Sequence, residues 1–160
     1  MYSMKITLLT IGKTNSKELI YLINELEKRL PLFVKFNRKE LPDIKNAKNL
    51  SENELKNLEA DLLISQLEPS DTLIILDERG KEYTSLEFSK YLDQQMNLSK
   101  KHLVFCVGGA LGFSDKIQAL NPHKIALSKM TFTHQMIRLF FVEQLYRAFS
   151  ILQGKPYHNE

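Results

Sequence analysis

Apolar positions recur along this chain in two alternating rhythms. Short blocks in which nearly every residue is apolar or β-branched stand at 4–11, 72–76 and 103–107. Longer segments between them repeat their apolar residues every three or four positions. The first rhythm predicts strands and the second amphipathic helices. Residues 4–11 form the first strand, ended by Gly12. Asn15 or Ser16 then caps a helix carrying Leu19, Ile20, Ile23, Leu26 and Leu30, which Pro31 stops. Residues 32–41 alternate apolar and polar, as a second strand near a sheet edge would, and Pro42 ends it. Ser51 and Glu54 have capping-box spacing and open a helix with Leu55, Leu58, Leu62 and Leu63. Residues 72–76 predict a strand buried on both faces, running into a charged loop from Asp77 to Lys81. Thr84 and Glu87 form a second capping box before a helix through Leu92 and Met96.

The last third of the chain, 103–158, carries the densest signals. An apolar strand breaks at Gly108-Gly109-Ala110-Leu111-Gly112. A short segment, 124–128, follows, then Lys129-Met130-Thr131-Phe132-Thr133-His134-Gln135. A broad apolar stripe of Ile137, Phe140, Phe141, Leu145, Phe149 and Leu152 predicts a helix from about Gln135 to Leu152, buried on more than one side. Strand–helix alternation requires crossover connections. The expected fold is therefore a single α/β domain over 1–160, a mostly parallel sheet with helices on both faces. Ligands in such sheets sit at the carboxyl ends of strands, which directs attention to the loops after Leu76, Val107 and Leu127.

Composition narrows this little: 43% of residues are apolar and 26% charged, ordinary for a globular protein. No apolar run is long enough to span a bilayer, and the N-terminus lacks a signal-peptide stretch. A lone Cys106 points to a reducing, cytoplasmic setting. The net charge of +3 matters through its distribution. Residues 1–122 carry 17 basic and 17 acidic side chains, whereas 123–160 carry five basic and two acidic. His123, His134 and His158 lie there too, so the whole basic excess stands ready for an anionic partner. A chance excess of three charges reads equally well. Lys45 and Lys48, in a polar loop, are either simply solvated or phosphate contacts.

The glycine loop matches neither a Walker loop nor a dinucleotide fingerprint. Two adjacent glycines allow close backbone approach to a flat ligand such as adenosine; alternatively they make a tight turn with positive φ. Backbone amides from Ser128 to Thr133 can read an adenine edge between Met130 and Phe132, unless those two residues staple the following helix. His134 and Arg138, four apart, share a helix face suited to phosphate or carboxylate recognition, unless that face is merely solvated. No nucleophile elbow, Cys-x-x-Cys pair or metal-spaced carboxylate cluster occurs, so no metal is expected. Such a site suits a cosubstrate that brings its own activated group.

From end to end the chain resembles the RlmH family of SPOUT-class methyltransferases. The resemblance rests on Met4-Lys5-Ile6-Thr7 with Gly12-Lys13, on Leu76-Asp77-x-x-Gly80-Lys81, and on Phe105-x-Val107-Gly108-Gly109-x-x-Gly112. It continues through Leu127-Ser128-Lys129-Met130-Thr131-Phe132-x-His134, Arg138, Glu143-Gln144-x-Tyr146-Arg147-Ala148 and Gly154-x-x-Tyr157-His158. Where the family has Pro before the His, this chain has Thr133, whose hydroxyl offers a helix cap instead.

The resemblance implies a deep C-terminal trefoil knot, which the rarity of knots would otherwise exclude. It implies a homodimer, and S-adenosylmethionine held by Leu76, Gly108, Gly109, Ser128, Lys129, Met130, Thr131, Phe132 and Thr133. The implied reaction is methylation of N3 of a pseudouridine in helix 69 of 23S rRNA on the assembled ribosome. His134, Arg138, Tyr157 and His158 are expected around the target base. In that scheme Arg138 stabilises the developing anion, and His158 or Tyr157 assists proton removal or orients the base. Arg147 falls to the dimer or the RNA backbone. Two rivals are a nucleotide-binding oxidoreductase-like domain and a non-catalytic ribosome-binding factor.

Overall fold

A computed structural model describes residues 3–159. Five strands form one sheet: β1 (Met4–Ile11), β2 (Val34–Leu41), β3 (Thr72–Glu82), β4 (His102–Val107) and β5 (His123–Ala126), in the order β2-β1-β4-β3-β5. Every neighbouring pair is parallel, as the strand–helix alternation requires. The alternating second strand lies at an edge, where its exposed residues face water.

Helices α1 (Lys17–Glu27), α3 (Ser85–Asn97) and α5 (Met136–Leu152) cover one face of the sheet; α2 (Glu52–Ile64) and the single turn α4 (Asp115–Gln118) cover the other. Ser16 caps α1 by accepting the Leu19 N–H, and both capping boxes close reciprocally, at Ser51–Glu54 and Thr84–Glu87. Strand residues alternate between two cores, so Ile6, Leu8, Ile74 and Phe105 pack beneath α5 while Leu9, Ile11, Ile75 and Cys106 face α2. Phe141, Leu145 and Phe149 of α5 are fully buried. Each such side chain contributes roughly 1.5–3 kcal/mol relative to an exposed one.

Two expectations change. The charged segment after Leu76 is no free loop: β3 bulges between Leu76 and Lys81, then resumes, pairing Lys81 with Ile125 and Glu82 with Ala126. Gly80 permits that crossing, because a Cβ there would meet the Lys124 carbonyl carbon at 2.7 Å. The last helix begins at Met136, so His134 precedes it and does not share a helix face with Arg138.

Candidate active site

The bulge of β3 and the carboxyl ends of β4 and β5 open into one cleft of about 930 Å³, within the range of small-molecule sites. Leu76, Asp77, Glu78 and Arg79 form one wall, the loop from Val107 to Phe113 a second, and Leu127, Ser128 and residues 130–135 a third. These are the segments after Leu76, Val107 and Leu127 that the sequence pattern singles out, the first of them a bulge within β3.

The glycine loop is shaped by two distinct demands. Gly112 has φ +84, and its N–H donates to the Gly109 carbonyl at 3.0 Å, closing the turn. Gly108 and Gly109 have no positive φ; at Gly109 the demand is space. A Cβ there would lie 2.6 Å from both carboxylate oxygens of Glu59 on α2. Glu59 is buried, with its carboxylate packed against the Gly109 backbone. Burial pushes its carboxyl above the usual range, and the adjacent Gly109 backbone opposes that rise. The tight-turn reading thus holds at Gly112 and close approach at Gly109.

On the third wall the Ser128 hydroxyl accepts the Met130 N–H at 2.9 Å, and Thr131 donates to Glu78, tying this wall to the first. Met130 is exposed, and the Phe132 ring lies 4.7 Å from that of Phe140. Phe132 therefore both lines the cleft and staples the helix. Thr133 Oγ1 accepts the Met136 N–H at 3.1 Å, satisfying the first N–H of α5, whose N-cap position is Gln135. Lys129 is the exception: its side chain is 85% exposed and reaches Glu82 at 3.6 Å instead of the cleft. Asp77 loses stability as an anion through burial, but hydrogen bonds from Arg79 outweigh this and hold its carboxyl low.

Of the four residues expected around a target base, only His134 lines this cleft. Arg138 is 1% exposed and lies behind it. Its guanidinium donates to the carbonyls of His134, Gly12 and Ile11, each at 2.9 Å, to Thr14 Oγ1 at 3.0 Å and to Glu40 at 3.1 Å. These donors are turned inward, away from the cleft that His134 lines. Burial pulls the Arg138 pKa down, and the Glu40 carboxylate raises it again. Gln135 adds to this clasp, accepting the Asn15 N–H and donating to the Lys13 carbonyl.

Tyr157 and His158 pack on the C-terminal half of α5, away from the cleft of the same chain. Tyr157 donates to Glu143 at 3.1 Å, Arg147 pairs with Glu143 at 2.5 Å and lies over the Tyr157 ring, and Arg147 meets His158 Nδ1 at 3.3 Å. Glu143 is seven positions past Met136, the first residue of α5, roughly 10 Å along the helix axis. Burial and then the Glu143 carboxylate push the Tyr157 hydroxyl up. Arg147 belongs to this tail cluster.

Sequence reading missed Glu59, Lys56 and Arg79 at or behind the cleft. Glu59 carried one signal, as an acidic residue one position before Ala60 and four before Leu63, with which it shares the buried side of α2. Among the described residues no group of three or more His, Cys, Asp or Glu could hold a metal.

The family model described as "Predicted SPOUT methyltransferase" matches residues 4–158. The chain is 51% identical over 157 residues to Ribosomal RNA large subunit methyltransferase H of Parabacteroides distasonis, covering 98% of this chain and 100% of that protein. It is 50% and 48% identical, with the same coverage, to the proteins of that name from Flavobacterium psychrophilum and Bacteroides thetaiotaomicron. With this match across nearly its whole length, the chain belongs to the SPOUT methyltransferases, in the family of ribosomal RNA large subunit methyltransferase H.

Proposed function

We propose that this protein transfers a methyl group from S-adenosylmethionine to N3 of a pseudouridine in helix 69 of 23S rRNA, within the assembled ribosome and so in the cytoplasm. The observation that carries the reading is the three-walled cleft between the β3 bulge and the ends of β4 and β5, with bare backbone at Gly108 and Gly109. Its residues fit that donor. Gly109 offers backbone with no side chain, Met130 and Phe132 offer apolar faces, and the 128–133 loop offers amides. The names of the relatives point the substrate toward large-subunit rRNA. No helix among the described residues is long and apolar enough to cross a membrane.

When bound, the donor supplies an electrophilic methyl carbon on a sulfonium. The chain must orient it, exclude water, and remove the N3 proton as the new N–C bond forms. His134, on the cleft wall, is placed to contact the base. Arg138 positions the loop carrying His134 by clasping it to the end of β1. Tyr157 and His158 lie too far along α5 to serve the cleft of their own chain. We assign them to the cleft of a second copy in a homodimer, where His158 or Tyr157 orients the base or takes its proton. The same reading includes the knotted C-terminal half.

The test is incubation of ribosomes with protein and isotope-labelled donor, followed by mass mapping of the rRNA. Label at one pseudouridine of helix 69 supports the reading. Ribosome association without label would favour a non-catalytic binding factor, and binding of a nicotinamide dinucleotide in place of the sulfonium donor would favour the oxidoreductase-like reading.

A further inference from the structure

Glu59 stands one layer behind the glycine loop. It is 9% exposed, does not itself line the cleft, and packs its carboxylate against the backbone of Gly109, which does. Buried carboxylates ordinarily have a cation beside them. Among the described residues no Lys or Arg forms an ion pair with this one; the pairs lie elsewhere, at Glu25, Glu27, Glu40, Asp61, Asp77, Glu82 and Glu143, with His102 on Asp71. The groups facing it make matters worse. Asp43, in the segment after β2, repels it and is itself drawn to Arg138. Lys116 of α4 is held by Asp61 at 2.9 Å. Lys56, one turn earlier on α2, lines the cleft instead. The free side of Gly109, away from Glu59, is the cleft.

We propose that Glu59 is a positioning and specificity residue: its carboxylate fixes Gly109 and supplies the counter-charge that makes the cleft prefer a sulfonium donor to the neutral thioether left after methyl transfer. This rests on the reading that the cleft holds S-adenosylmethionine. The donor and its product, S-adenosylhomocysteine, share the adenosine and the amino-acid end and differ in the methyl group and its positive charge. A buried negative charge behind the loop therefore favours the donor and speeds departure of the product. A merely structural prop treats the two alike.

The experiment measures dissociation constants for both ligands by calorimetry on the full chain, its Glu59→Gln variant and its Glu59→Asp variant. Glu59→Gln keeps the shape and loses the charge. It should lower the donor-to-product preference roughly tenfold, almost entirely through weaker donor binding. Glu59→Asp keeps the charge and shortens the reach, so both affinities should fall while their ratio stays within about twofold. Equal weakening of both ligands by Glu59→Gln overturns the proposal and leaves the cofactor reading standing. Should Glu59→Gln not melt cooperatively, Glu59→Asp decides, because loss of the preference with the charge retained overturns it. Wild-type protein that binds neither ligand overturns the cofactor reading and this inference with it.

Discussion

Arg138 and Gly12 are 126 positions apart, yet Nη1 of the first donates to the carbonyl of the second at 2.9 Å. The bond fastens the start of the last helix to the end of the first strand. With the neighbouring bonds to Ile11, Thr14 and Glu40 it fixes where the cleft's third wall begins.

Removing that guanidinium takes the donor from the buried Ile11 and Gly12 carbonyls and leaves the Glu40 carboxylate held by Thr14 alone. Arg138→Ala should destabilise the fold by about 3–5 kcal/mol, in the range for a broken buried pair. Arg138→Lys should recover only part of this, because one ammonium cannot reach all the acceptors. Urea unfolding of the two variants checks both; near-wild-type stability in Arg138→Ala would return this residue to the list of groups free to meet substrate.

Glu40 gives the clasp a pH dependence. Burial disfavours its charge, but hydrogen bonds from Thr14, followed by the Arg138 and Arg38 charges, win and hold its carboxyl below the usual range. A carboxyl depressed by folding adds stability above its unfolded pKa, about 4.3, and loses it as pH falls through the folded value. The wild type should exceed Glu40→Gln by about 1 kcal/mol at neutral pH. That gap should close at the acid end of a melting series, and a gap that widens there contradicts the assignment.

The two glycine demands separate by mutation. Gly109→Ala drives a methyl group into the Glu59 carboxylate, so donor binding should fall by at least roughly tenfold as the loop shifts. Gly112→Ala meets nothing within 4 Å and is opposed only by its φ of +84, so about 1 kcal/mol of stability should go instead. Calorimetry and melting of the pair distinguish the two effects.

The tail separates from the cleft in the same way. His158→Ala should cut methyl transfer by at least roughly tenfold while leaving donor binding unchanged. If sites are built from two chains, mixing His158→Ala with Gly109→Ala protomers restores one intact site in each mixed dimer. Activity should then return to about a quarter of wild type. An inactive mixture would mean that the tail serves its own chain.

Cys106 is buried in β4, and burial pushes its thiol up to about 12. A thiol-specific disulfide reagent should leave the native protein unlabelled and titrate one thiol after denaturation.

Much of this was legible in the sequence because it is local. The capping pairs Ser51–Glu54 and Thr84–Glu87 are three residues apart, and strand periodicity needs only a few neighbours. The segments after Val107 and Leu127 followed from where apolar strands end, and the one after Leu76 was placed rightly but is a bulge. What stayed hidden was long-range. Nothing near Gly109 announces Glu59, fifty residues earlier, and nothing near β3 announces that it resumes after its bulge. Arg138 did carry a signal that went unread: it sits in Met136-Ile137-Arg138-Leu139-Phe140-Phe141, with large apolar groups on every side, which is the setting of a buried arginine and not of a solvated one. The tail's place on α5 depends on the turn at Gly154, φ +67, whose direction no periodicity encodes.

The strand order has a consequence for how the chain assembles. β1 is made early but is flanked on one side by β4, with Lys5 beside His102, and is sealed by an arginine synthesised later still. Its apolar edge must wait through most of translation for a neighbour, so assembly is dominated by distant pairings and should be slow for a chain of this size. The clasp at Arg138 is then the closing event, and the cleft comes into being only when the first strand and the last helix have met.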